Sequence, residues 1–385
     1  MKYYILILLI IVGIFSCWMV PCASGKMTLS TGIRYDLFTD DRLPETLGYE
    51  VTFPIGVTYQ GRQVVLALDT AFSSANVYPG DGSTSKIANL TDTRLSASYG
   101  LPNLPVGLIF GVDLNLPTGK EQLSAQERVA EAGENHDLFE VDDFGEGFNF
   151  DLSLGLAKEF GPVSVGLNGK YRFKGKYDPT SDVANDDLDP GDEVVVGGVC
   201  KWKVSPRVNV AASAAYSHFA ADQINGQKQF QEGDKVAFGG NLNLLYSIPK
   251  PLRITVGLQQ RLQDKNKESG LTKKLEIEPA NSNGPEFFSL LEVTYESSPR
   301  FAVRVLGDMR YYGASDRQDA VKGVPYEGRR IRYAFGPGFL YHINERLALN
   351  GLAKYFFLNQ KKDILLNQDT TFRGVNLAVG VTYTF

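Results

Sequence analysis

The chain has 385 residues, 39 Lys and Arg against 44 Asp and Glu, a formal net charge of −5, three Cys and three His. That balance excludes a generally basic nucleic-acid binder, and so few Cys and His exclude a disulfide scaffold or a Cys/His zinc cluster. Mean hydropathy is −0.16, an ordinary soluble value, yet 19 Tyr, 23 Phe and 39 Gly are present; a membrane barrel has the same bland average because its apolar half alternates with a polar half.

At the N-terminus Met1-Lys2 precedes an apolar run from Ile5 to Phe15, and small residues follow at Ala23, Ser24 and Gly25. The run is short of the ~20 residues that a transmembrane helix needs and has the layout of a cleaved export signal. Residues 1–24 are therefore expected to be removed, with cleavage after Ser24 or after Gly25 both open, leaving one domain over 25–385. Ile14-Phe15-Ser16-Cys17 fits a lipoprotein signal poorly because of Phe15. Cys17 and Cys22 lie within the signal, so Cys200 stands alone and an internal disulfide is excluded.

From Met27 to Phe385 apolar/polar alternation recurs in segments of about ten residues, the length of a tilted membrane-spanning strand. The clearest are 148–160, 163–174, 253–262, 346–357 and 371–385. Short breaks fall at 60–62, 101–105, 161–162, 205–206, 248–251, 298–299 and 344–345, most of them marked by Pro, which cannot donate to a strand ladder. Three read alike: Ser205-Pro206-Arg207, Ser298-Pro299-Arg300 and Asn344-Glu345-Arg346. Long polar breaks fall at 39–47, 77–90, 117–146, 177–190, 220–233, 264–285, 313–329 and 359–370. Eight long and seven short breaks separate sixteen strands and place both chain ends on the short-turn side. The expected fold is all-β: a transmembrane antiparallel up-and-down β-barrel with short periplasmic turns and long extracellular loops. Fourteen or twelve strands stay open, because 27–38 and 48–59 carry charges and Pro54.

Alternation also assigns faces, since a charge at the bilayer midplane costs about 2–4 kcal/mol. With Phe301, Val303 and Val305 toward lipid, Arg304, Asp308 and Arg310 face the lumen; with Tyr333 and Phe335 toward lipid, Arg332 faces in. The same logic lines the lumen with Lys170, Arg172 and Lys174, with Lys201 and Lys203, with Arg253 and Arg261, and with Lys354. These inward rows are mostly basic and favour anionic permeants, unless inward carboxylates such as Asp151 and Glu292 neutralise them. Small inward residues, among them Gly166, Ala211, Ser213, Gly239, Ala378 and Gly380, leave room for an aqueous lumen. The acidic stretch Asp178, Asp182, Asp186, Asp187, Asp189 and Asp192 lacks the spacing of a Ca²⁺ loop and reads as a solvated surface loop near lipopolysaccharide. His136, His218 and His342 are scattered, and no nucleophile elbow, zinc motif or P-loop accompanies them, so neither catalysis nor a cofactor or metal is expected.

Before the longest loop stands Leu116-Pro117-Thr118-Gly119, at the end of the alternating stretch that starts at Val106. This segment resembles that of the family named after the meta-pathway of phenol degradation, over roughly residues 90 to 260. The resemblance implies outer-membrane uptake of small organic molecules, with aromatic and anionic solutes both open. Pro117, Thr118, Gly119 and Lys120 begin a loop expected to fold inward as a constriction or gate, with a short helix over 122–132. In the last strand Val375, Leu377, Val379, Val381, Tyr383 and Phe385 alternate to the terminal aromatic, so Tyr383 and Phe385 are expected to form the signal read by the barrel-assembly machinery. Lipid, lipopolysaccharide and that machinery are the expected partners, with nucleic acid excluded and the oligomeric state open. A structural or adhesive barrel without an open pore is the alternative.

Overall fold

The structure, a computed structural model, describes residues 25–385 apart from 43–44, 102–103, 132–136, 142–143, 184–186, 248–249, 271–273, 318–326 and 363–367. The expected export signal, His136 and Asp186 lie outside the described residues. In chain order the elements are β1 (Lys26–Asp40), β2 (Leu47–Gln60), β3 (Val64–Tyr78), β4 (Ser85–Leu90), β5 (Thr93–Leu101), β6 (Gly107–Leu116), α1 (Ala125–Glu131), β7 (Asn149–Phe160), β8 (Val163–Lys174), β9 (Leu188–Asp189), β10 (Glu193–Ser205) and β11 (Val208–Phe219). After these come β12 (Asp222–Ile224), β13 (Gln227–Gln231), β14 (Lys235–Tyr246), β15 (Leu252–Gln263), β16 (Lys267–Ser269), β17 (Leu275–Ile277), β18 (Glu286–Ser298), β19 (Phe301–Tyr312), β20 (Arg330–His342), β21 (Leu347–Gln360) and β22 (Thr370–Thr384).

The long strands pair antiparallel with their chain neighbours, and β22 returns to β1 from Thr28↔Thr384 to Asp40↔Phe372, which closes a 16-stranded barrel. β4 and β5 together form one stave against β3, bent at Thr91, whose N–H donates to Ala71 O at 2.8 Å. Sixteen is therefore the strand number, and the charged first strands are full members. Closure pairs each full-length stave on both sides, so the barrel itself has no edge strand. Pro54 and Pro337 sit inside staves and interrupt the ladders: pairing passes from Thr31↔Ile55 to Arg34↔Thr52, and from Phe335↔Tyr355 to Gly338↔Leu352.

The three similar turns share one mechanism. Ser205 Oγ accepts from Arg207 N at 3.2 Å, Ser298 Oγ accepts from Phe301 N at 3.1 Å, and Asn344 Oδ1 accepts from Arg346 N and Leu347 N at 2.9 Å each. A short polar side chain in this position closes a tight turn by bonding the backbone just ahead of it. Gly161, with φ 61°, supplies the left-handed residue for the turn before Pro162.

Outward rows are apolar and exposed, as at Leu167 (58%), Val196 (56%) and Phe335 (60%). Their charges, Lys86, Lys158 and Arg373, lie near strand ends. Aromatics mark two levels. Tyr171 lies beside Val194, and Trp202 lies eight residues along the same strand. Those eight residues are about 26 Å of strand, or about 20 Å along a barrel axis at a tilt of about 40°, which lies within the roughly 25 Å apolar band of a membrane barrel. No helix of the described residues is long and apolar enough to cross a membrane.

Two departures concern the long-loop end. The break at 77–90 contains β4, and the loops after β8, β11 and β15 carry a second, five-stranded sheet in the order β17-β16-β13-β12-β9. Its β12–β13 hairpin turns on Asn225 (φ 53°) and Gly226 (φ 74°), the positive-φ pair that a tight two-residue hairpin demands.

Candidate functional site: the lumen and its inward loop

The segment between β6 and β7 folds into the barrel. Its root is the Pro117-Thr118-Gly119 segment. Thr118 Oγ1 lies 2.8 Å from Thr93 Oγ1 and donates to Thr91 O at 3.1 Å. Gly119 N donates to Asp92 Oδ1 at 2.9 Å, while Asp92 Oδ2 accepts from Glu146 N at 2.9 Å and Asn115 Nδ2 at 2.6 Å. One carboxyl at the bend between β4 and β5 thus clasps both ends of the loop. A Cβ on Gly119 would fall 1.7 Å from Phe144 O, so only glycine fits. Lys120 turns to Glu127 of α1.

The expected helix over 122–132 is realised as Ala125–Glu131. A reciprocal cap starts it: Ser124 N donates to Glu127 Oε2 at 3.0 Å and Glu127 N to Ser124 Oγ at 3.3 Å. Burial raises the Glu127 carboxyl, but Lys120 and Ser124 outweigh it and hold the group below its ordinary value. Asp182 adds a second acceptor, taking Ala125 N at 2.5 Å, and Asp178 accepts from Gln122 Nε2 at 2.6 Å. The acidic loop is thereby committed in part to holding its neighbour. Among the described residues no cluster of three metal-ligating side chains occurs.

Leu123 just before the helix, Ala130 within it, and Leu138, Phe139, Val141 and Phe144 after it pack on inward residues of the wall, including Phe38, Ile87, Phe356, Leu358 and Phe372. Phe38 is 5.3 Å from Phe139 and 6.0 Å from Phe372, ring centre to ring centre. Polar anchors surround this core. Glu50 is fully buried; its Oε2 accepts from Glu140 N at 3.0 Å and Val141 N at 3.2 Å, and its Oε1 from Ser73 Oγ at 2.8 Å. Arg34 joins Asp36 (2.9 Å) to Glu140 (2.5 Å), and Arg310 holds Asp137 at 3.1 Å. Behind the loop a buried ladder crosses the wall: Asp36 accepts from Asn376 (2.6 Å), which accepts from Arg332 (2.9 Å), which donates to Asp308 (2.8 Å), which also takes Lys354 (2.8 Å).

The residues assigned to the lumen from alternation fall into groups. Lys170 and Arg172 both bind Asp151, at 3.0 and 2.9 Å, and Arg304 binds Glu292 at 2.8 Å. Arg261 meets Glu286 at 3.3 Å and Arg253 meets Glu296 at 3.8 Å. Lys174 sits over the Phe219 ring. Arg310, Arg332, Asp308 and Lys354 belong to the loop contacts and the ladder. Of this set Lys174, Lys201 and Lys203 have no ion pair among the described residues, and of these three only Lys174 has an aromatic partner. Most of the basic rows are therefore neutralised. His218 Nδ1 lies 2.8 Å from Asp234 Oδ1 at the long-loop rim, while His342 lies at the short-turn end.

The loop occupies the side of β1–β5 and β19–β22. Opposite it, a groove of about 430 Å³ runs over Asn168, Ser213, Gly239, Asn241, Gln259 and Phe288. Its lining is uncharged, with Gly197, Gly239, Gly257 and Ser213 beside Gln259 and Phe288. A second space of about 470 Å³ lies between the Glu140–Glu146 arm of the loop and the wall at Thr52, Asp69 and Arg94.

Among solved structures, CdiB from Acinetobacter baumannii is 10% identical, with 93% of this chain and 60% of that chain covered and a TM-score of 0.47, so this chain spans less than two thirds of that protein. Pseudomonas aeruginosa OccK7 (OpdD) is 10% identical over 94% of this chain and 99% of that chain, TM-score 0.46. A triple mutant of the Rhodopseudomonas blastica porin is 14% identical over 94% and 100%, TM-score 0.33. No curated protein sequence matches significantly. The family model described as "Putative MetA-pathway of phenol degradation" matches residues 23–272, from the residues just before β1 to the loop after β16. The chain belongs to that family, in the form of a closed 16-stranded antiparallel β-barrel.

Proposed function

We propose that the protein is a passive outer-membrane conduit for small organic solutes, narrowed on one side by the 117–148 loop. The division of the lumen carries this reading: one half is filled by a pinned loop with its own apolar core, and the other contains a groove whose lining is uncharged. Such a cross-section excludes large solutes by size and leaves a wetted track for small ones. Family membership supports a role with small organic molecules. Pairing of Lys170, Arg172, Arg261, Arg304 and Arg310 removes the reason to expect strong anion selection along the whole lumen.

Export by residues 1–24, periplasmic placement of the short turns, contact with lipid and lipopolysaccharide, and recognition of Tyr383 and Phe385 by the assembly machinery are parts of the same proposal. The last strand supports the final point: Phe385 N donates to Met27 O at 2.8 Å and so ends the seam with β1. The test is swelling of liposomes bearing the refolded protein, in uncharged solutes of increasing size. Swelling should fall steeply with solute size. If no solute produces swelling, the barrel is closed and structural, a reading that the apolar cluster inside one half of the lumen also favours.

A further inference from the structure

Cations inside this barrel divide by height. Most of those facing the constriction are partnered, as Arg332 and Lys354 are by Asp308 and Arg310 is by Asp137; Arg94, beside Asp69 at the edge of the loop, and Lys174, over the Phe219 ring, are the exceptions. At the short-turn end, by contrast, Lys201, Lys203, Arg207, Arg300 and Arg346 are exposed, and none has an ion pair among the described residues. The carboxylates nearby are few. Glu296 is engaged loosely by Arg253 at 3.8 Å, and Glu159 and Glu345 lie near the turns that follow β7 and precede β21. Above this rim the groove is uncharged, so nothing in it compensates the free cations.

The turn chemistry explains why the charges collect here. In the three similar turns the capping Ser or Asn bonds the backbone and leaves the adjacent Arg side chain in solvent. Lys201 and Lys203 occupy alternate positions of β10, so both point to the lumen while Trp202 points to lipid. At the other end the loops carry an acidic excess, for example Asp178, Asp182, Asp187 and Asp189.

From this axial separation we infer that the short-turn mouth is an anion-collecting vestibule centred on Lys201 and Lys203, and that it favours passage of small inorganic anions and carboxylates over cations of similar size. The inference rests on the conduit reading above and assigns it a permeant class and an asymmetric conductance. A field negative at the outer loops and positive at the inner mouth raises the local anion concentration where the lumen opens. Because the charges are unpaired and wetted, the effect should fall as salt rises toward 1 M, where screening acts within about 3 Å.

The experiment is planar-bilayer recording of the full refolded protein in a KCl gradient, repeated with potassium acetate, with the Lys201→Gln/Lys203→Gln double variant alongside. Wild type should pass anions over K⁺ by roughly twofold or more at low salt and show a current–voltage curve that is asymmetric about zero. The double variant should bring the ratio toward one and straighten the curve; Arg373→Gln, whose side chain faces out of the barrel, should change neither. Conductance with equal permeabilities, or with a preference that survives the double substitution, overturns the vestibule alone. Absence of conductance in every preparation removes the conduit and the vestibule with it.

Discussion

Replacing Glu50 by Ala should loosen the inward loop without unfolding the barrel. Glu50 lies on a strand that pairs along its length with β1 and β3, so the substitution leaves those ladders in place. What it removes is the acceptor for Glu140 N and Val141 N, at 3.0 and 3.2 Å, and for Ser73 Oγ. A buried donor left without a partner costs about 1–3 kcal/mol, so the two loop amides together lose about 2–6 kcal/mol. The lower end shifts the docking equilibrium of the loop about 30-fold, at 1.4 kcal/mol per factor of ten. The apolar contacts of Phe139 and Phe144 remain, so the loop should open often and not permanently. Hydrogen exchange in refolded protein reads this directly. Amides of the 137–146 segment should exchange about 30-fold faster or more, with strand amides of β2 unchanged, and single-channel records should show excursions to a larger conductance. Exchange at the wild-type rate would refute the anchoring role of Glu50.

Three further outcomes follow from the same contacts. Asp308→Ala leaves Arg332, only 4% exposed, without its ion pair, and should lower barrel stability by about 3–5 kcal/mol in denaturant unfolding; a change below about 1 kcal/mol would mean that Asn376 and the Phe356 ring hold the guanidinium unaided. Gly119→Ala puts a methyl group against Phe144 O and should cost about 1–3 kcal/mol by overpacking, seen as faster proteolysis within 117–148, whereas Gly169→Ala, on β8 in open space, should not alter that cleavage. The Glu127 carboxyl is held below its ordinary value of about 4.5, so the cap on α1 is fully stabilising above that pH and weakens as pH falls through the lowered value; exchange in 124–131 should accelerate in that acid window, and Glu127→Gln should remove the pH dependence.

Strand patterning was legible wherever one face meets lipid. The terminal alternation from Val375 to Phe385 and the row opposite Arg304 and Asp308 need only the cost of charge in hydrocarbon. The first two strands read as weak because of Arg34, Asp36, Glu50 and Pro54; the three charged residues prove to be the inward anchors of the loop and the wall, and Pro54 only interrupts the β1–β2 ladder. Charges alternating with Tyr35, Leu37, Tyr49 and Val51 were the available signal. The partners of the basic rows were not legible. Asp137 is 173 residues from Arg310, and Asp308 is 46 from Lys354, so pairing depends on a loop fold and on sheet register that no local window contains. The second sheet escaped for a different reason: its strands are three to five residues long or shorter, below the length at which alternation is measurable, although Asn225-Gly226 announces a hairpin. The Pro117-Thr118-Gly119 segment stood out by resemblance, and the structure supplies its reason, a clasp at the root of the loop.

Single-channel conductance of the refolded protein, compared with a form lacking residues 122–143, tests the account most directly. That deletion removes α1 and most of the loop core while leaving the Asp92 clasp outside the cut. The full chain should conduct in small uniform steps, and the shortened chain in distinctly larger ones. Equal conductance in the two forms, or none in either, would contradict a lumen narrowed by this loop.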